Sequence, residues 1–76
     1  MMLKIATRHH DPEKIYDFLE KSIGNLNMHI KGDFAIIWFE EKQHYEIARE
    51  KFVSFHFNDD NLSLVPYFEE QLQATA

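Results

Sequence analysis

The chain contains no cysteine, only two glycines and only two prolines among its 76 residues. Without thiols it has neither disulfide staples nor thiolate ligands for zinc, which suits a reducing compartment and favours a cytoplasmic location. Its glycines, Gly24 and Gly32, stand at an expected helix end and an expected turn, so no glycine-rich loop exists to cradle a phosphate and nucleotide binding has no support. Basic side chains are scarce as well. Eight Lys and Arg face thirteen Asp and Glu, a net charge of -5, and that sign repels phosphate backbones and anionic headgroups, which removes nucleic acid from the expected partners. Long apolar runs are also missing. The longest, Phe34-Ala35-Ile36-Ile37-Trp38-Phe39, is far shorter than the ~20 residues a membrane-spanning helix needs. The N-terminus turns polar at Thr7-Arg8-His9-His10-Asp11 before a cleavable apolar region forms, so neither a signal peptide nor direct membrane insertion is expected.

What remains is apolar and aromatic. Seven Phe, three Tyr and one Trp within a 45% hydrophobic chain are enough to build a core and too many for a disordered segment. At this length area burial and conformational entropy nearly cancel, and a net stability of about 3–5 kcal/mol is expected.

Short alternation over Met2-Leu3-Lys4-Ile5-Ala6-Thr7 predicts a first strand at about 2–7. Asp11 is placed as a helix N-cap, Pro12 as the first helical residue and Glu13 as a negative charge at the positive end of the dipole. A helix is predicted from Pro12 to about Ile23, with Ile15, Phe18, Leu19 and Ile23 on one stripe and Gly24 as a left-handed stop. Leu26, Met28 and Ile30 alternate with Asn27, His29 and Lys31, which describes a strand with one buried face and one wet face. Gly32-Asp33 turns the chain into Phe34–Phe39, the most strand-prone segment, and so short a turn predicts an antiparallel hairpin.

Beyond Glu40-Glu41-Lys42 the period changes. Tyr45, Ala48, Phe52 and Phe55 form a helical stripe that predicts a second helix to about residue 56. Asn58-Asp59-Asp60-Asn61 is a polar turn cluster, and Leu62-Ser63-Leu64-Val65 is a candidate short last strand before Pro66. Tyr67-Phe68-Glu69-Glu70-Gln71-Leu72 fits a helical turn equally well, and Gln73-Ala74-Thr75-Ala76 reads as a frayed end or linker. The domain organisation expected is a compact α/β unit over 1–58 and a tail or linker over 59–76. The fold class expected is α+β: a small βαββα(β) domain whose mostly antiparallel sheet of three to four strands carries two helices on one face, in a ferredoxin-like arrangement.

No residue cluster demands a particular chemistry. His9-His10 invite a metal, yet adjacent histidines on a loop lack the spacing that aims two imidazoles at one ion, so no metal or cofactor is expected. His29, His44 and His56 read as surface histidines. Ser22, Ser54 and Ser63 sit in no nucleophile-elbow or Ser-x-x-Lys pattern, and Glu40-Glu41, Asp59-Asp60 and Glu69-Glu70 read as solubilising charge at element ends. No catalytic residue is expected. Phe34, Phe39 and Trp38 would suit a base-stacking platform only with basic surroundings, which are absent; core packing is the better account. Because the segment 34–39 is apolar on both faces while helices are expected on one, Phe34, Ile36 and Trp38 are the candidate interaction surface.

Several of these segments together resemble the N-terminal cytoplasmic domain of bacterial rhomboid intramembrane serine proteases of the GlpG type. The likeness covers roughly residues 2–58: an apolar strand at the initiator methionine, a helix with Phe18-Leu19, a hairpin whose second strand carries Ile37-Trp38 before Glu40-Glu41, and a helix reading Ile47-Ala48-Arg49-Glu50 and ending Phe55-His56-Phe57-Asn58, similar to the family's Phe-x-x-Asn-Pro exit. The family often has proline after that asparagine, where this chain has Asp59. The resemblance implies a non-catalytic accessory domain at the cytoplasmic face of the inner membrane, whose partner is the membrane-embedded protease core of the same polypeptide and whose copies can pair by domain swapping. Rhomboid catalytic residues lie in membrane segments, so none is carried onto this chain. The alternative is a free-standing protein-interaction or ligand-sensing module acting through its sheet.

Overall fold

The computed structural model describes residues 2–68. Strand β1 (Met2–Ala6) leads through a loop into helix α1 (Pro12–Ile23), then β2 (Asn27–Lys31), β3 (Phe34–Trp38), helix α2 (Lys42–Lys51) and three short strands, β4 (Phe55–Phe57), β5 (Asp60–Leu62) and β6 (Val65–Tyr67). The main sheet has the order β2-β3-β1-β6 and every neighbouring pair is antiparallel, while β4 and β5 form a separate hairpin. Two helices packed against a four-stranded antiparallel sheet in this order are the ferredoxin-like βαββαβ plan, with the β4–β5 hairpin inserted before the last strand. Among the described residues no helix is long and apolar enough to cross a membrane.

The signals that start α1 act as expected. The Asp11 carboxylate accepts the Glu13 N–H at 3.0 Å and Pro12 occupies the first turn. Ile15, Leu19 and Ile23 then face the sheet and are buried against Leu3, Ile5, Ala35 and Ile37. Gly24 ends the helix at φ 134, ψ -165, a positive-φ but extended conformation in place of the left-handed stop expected there. The hairpin of β2 and β3 has the register Asn27 to Trp38 through Lys31 to Phe34, closed by Gly32 at φ 62 and Asp33.

Several details depart from the sequence pattern. Ile30, expected on a buried face, is 50% exposed: it is on the helix side of the sheet, but β2 is the edge strand and Ile30 opens onto a surface depression that it shares with Pro12, Glu13 and Tyr16 of α1. Helix α2 stops at Lys51, short of residue 56. The stripe of Phe52 and Phe55 that suggested more helix belongs to an aromatic cluster, in which the Phe18 ring stacks on Phe55 at 5.7 Å and meets Phe52 and Phe57 edge-on. Phe55-His56-Phe57 alternates buried, exposed, buried as β4, and Asn58 and Asp59, at φ 49 and 62, make the two-residue turn into β5.

Compact packing also continues past residue 58. Leu62 and Leu64 are almost fully buried, and the Leu64 N–H bonds the Phe52 carbonyl at 3.0 Å. The last strand falls at Val65–Tyr67 and includes Pro66, which is tolerated because β6 is the other edge of the sheet. Of the alternatives for the C-terminal segment, the helical turn over 67–72 extends mostly outside the described residues, as does the frayed end over 73–76.

Candidate functional site

Both helices lie on one side of the sheet, and the strand registers fix what the other side presents. Directly opposite residues of an antiparallel sheet share a face, so three rows cross it. The first runs Tyr67, Met2, Trp38, Asn27; the second Val65, Lys4, Ile36, His29; the third Ala6, Phe34, Lys31. No described element covers this face. Trp38 and Val65 remain 37% and 44% exposed there. Phe34 is half-buried and carries the Lys4 Nζ 4.6 Å above its ring, a cation–π contact. Ile36 is only 3% exposed, so of the three residues expected to form an interaction surface Trp38 offers the most area and Ile36 acts as its floor.

The charge on this face is one-sided. Lys4, Lys31 and His29 are there, and among the described residues no carboxylate is, although the chain as a whole carries a net charge of -5. The described carboxylates lie on the helices, the loops and β5. The face thus mixes apolar side chains in all three rows with basic ones in the second and third.

A second arrangement lies at one end of the domain, where the β1–α1 loop meets the β4–β5 hairpin. The Arg8 guanidinium donates to Asp60 Oδ1 at 3.0 Å, and the His10 imidazole donates from Nε2 to Asp60 Oδ2 at 3.1 Å. The His10 side chain is only 6% exposed, held between the His9 ring, with centroids 4.2 Å apart, and the nearly perpendicular Phe57 ring, with centroids 5.2 Å apart. The hydrogen bond from His10 holds the Asp60 carboxyl below the usual carboxylate range, against the opposing effect of desolvation, with the Asn61 N–H and Arg8 adding to the first. The sequence reading of Asp59-Asp60 as solvated charge is therefore corrected for Asp60, which is half-buried and doubly bonded. Nothing in local spacing could have shown this, because its partners are about fifty residues away in the chain.

The remaining candidates are structural. Ser22 Oγ donates back to the Phe18 carbonyl at 2.8 Å within α1, and Ser54 and Ser63 are exposed. His29 and His56 are surface residues as expected, His56 bonding Asn61 across its hairpin. His44 is not: it packs on Gly24, and its Nδ1 is buried without a hydrogen-bond partner among the described residues. Glu40 and Glu41 are exposed; Glu69-Glu70 lies outside the described residues. Among the described residues, depressions of about 180, 180 and 270 Å³ lie beside Ile30, beside Val65 and beside Asn25, each smaller than the roughly 300 Å³ at which small-molecule sites begin. Comparison with protein-family models, with curated proteins and with solved structures gives no match, so the case for function rests on this chain's own residues.

Proposed function

We propose that this is a non-catalytic accessory domain that works by docking its open sheet face on a partner segment that is apolar and acidic. The observation that carries the reading is the composition of that face: Trp38, Phe34, Met2, Val65 and Tyr67 with Lys4, Lys31 and His29 and, among the described residues, no carboxylate, on a chain of net charge -5. Apolar area supplies affinity, and the lysines select sign and orientation. A second copy of the chain is the poorer fit, since face-to-face pairing would set lysine near lysine.

The setting we propose is that of the N-terminal cytoplasmic domain of a rhomboid protease, with the docking segment supplied by the same polypeptide or by a regulator. The βαββα element order agrees with what the resemblance over residues 2–58 implies, whereas Phe55–Asn58 departs from it, being strand and turn. A coding sequence that continues into apolar spans with a Gly-x-Ser-Gly motif would support this setting, and one without them would remove it. The docking reading stands apart from that outcome.

Selection of a random peptide library displayed against the 76-residue chain tests it. Enrichment of peptides combining Asp or Glu with aliphatic or aromatic residues, lost when Trp38→Ala is the bait, is the expected result. Selected peptides of basic character, or ones indifferent to Trp38, would refute it.

A further inference from the structure

The convergence of His9, His10 and Asp60 has a chemistry that the docking surface does not use. From this geometry we propose that these three side chains form a binding site for a divalent first-row transition ion of the zinc, nickel or copper class. One ligand atom from each residue can be chosen so that all lie within 4.8 Å of one another. Two imidazoles and one carboxylate are the donor set such ions take where no thiolate is present.

The site is partly set before any ion arrives. His10 Nε2 and Asp60 Oδ2 are 3.1 Å apart, close to the ~3.3 Å that separates two ligands on a tetrahedral ion with bonds of about 2.0–2.1 Å. The His10 imidazole is almost fully buried between two rings, which limits its motion. His9 is exposed, so its ring can swing out of the stack with His10 and bring a nitrogen onto the ion, the one rearrangement the site requires. Once the ion replaces the hydrogen bond, the His10 proton moves to Nδ1 or to solvent, leaving the Nε2 lone pair free to ligate.

Arg8 stands beside the site and shares Asp60 without blocking it. It bonds Oδ1, whereas His10 bonds Oδ2, so the ion and the guanidinium take different oxygens of one carboxylate. The Arg8 side chain is 54% exposed, and solvent screens much of its repulsion for a cation. Three protein ligands leave a further position for water or for a donor from a partner.

Calorimetric titration of the untagged 76-residue chain with zinc chloride and, separately, nickel chloride tests the assignment. Saturable binding of one ion per chain is expected. It should weaken at least roughly tenfold in His9→Ala and in Asp60→Asn, and remain unchanged in His29→Ala and His56→Ala. His9 is exposed, so its variant reports on ligation without risk to the fold; far-ultraviolet circular dichroism checks Asp60→Asn. Absence of saturable binding with both salts would overturn the proposal. So would binding that survives His9→Ala unchanged, which would mark an adventitious site on other surface histidines.

Discussion

The His44 ring lies against the backbone of Gly24 so closely that a β-carbon there would sit 2.7 Å from Cε1 and 2.8 Å from Nε2. Gly24 also holds φ 134, which side-chain-bearing residues rarely adopt, so two separate constraints keep this position glycine. Gly24→Ala is expected to destabilise the chain by ~1–3 kcal/mol in chemical denaturation. In a His44→Ala background the same change should cost less but still be unfavourable, since only the contact is relieved. Equal costs in both backgrounds would show that the ring plays no part.

Leu64→Ala separates a compact unit ending near residue 58 from one that continues. Leu64 is 2% exposed and its N–H holds the Phe52 carbonyl. A core leucine truncation costs ~2–5 kcal/mol, comparable with the whole stability expected of a domain this size, so the variant should be largely unfolded at room temperature. A thermal transition unchanged from the parent would place Leu64 outside the core.

The turn between β4 and β5 leaves room for improvement. Asp59 is exposed at φ 62 in the second position of a two-residue turn, where glycine is preferred. Asp59→Gly should stabilise the chain by about 0.5–1 kcal/mol, with the gain appearing as a higher denaturant midpoint at unchanged slope. A lower midpoint would contradict the turn geometry.

These residues also show what could be read from the chain before its structure. Asp11, Pro12 and Gly24 bracket α1 by local chemistry, and the 34–38 strand is set by a run of aromatic and β-branched residues, so both were legible. The end of α2 was not. Phe52 and Phe55 fit a helical stripe, while Phe55 and Phe57 fit a strand alternation equally well, and the choice is made by where Phe18, Leu62 and the Asn58-Asp59 turn place them. That Phe34, Ile36 and Trp38 share one face was legible in their alternation, but the Lys4 and Lys31 beside them needed the strand registers. The pairing of Asp60 with Arg8 and His10 is a product of topology alone.

Tyr16 supplies a pH test on the helix side. Its hydroxyl donates to Glu20 Oε2 and lies near the Leu26 carbonyl, each at 3.4 Å, and the Glu20 charge, then desolvation, raise the phenol above its ordinary value. A raised folded-state pKa contributes stability that is complete below the unfolded value of about 10 and is lost as pH rises through the folded one. Stability should therefore fall on the alkaline side more steeply in the parent than in Tyr16→Phe. Identical alkaline limbs would remove the coupling to Glu20.

The most direct measurement on the docking surface is a ¹H–¹⁵N correlation spectrum of the chain titrated with an acidic, apolar peptide. Shifts should concentrate on the Trp38 indole and the amides of Lys4, His29, Lys31, Phe34 and Ile36. Raised salt should weaken the binding, and Trp38→Ala should reduce affinity by ~2 kcal/mol or more. Shifts confined to the outer surfaces of the helices, or no saturable shifts with either acidic or basic apolar peptides, would contradict a working sheet face.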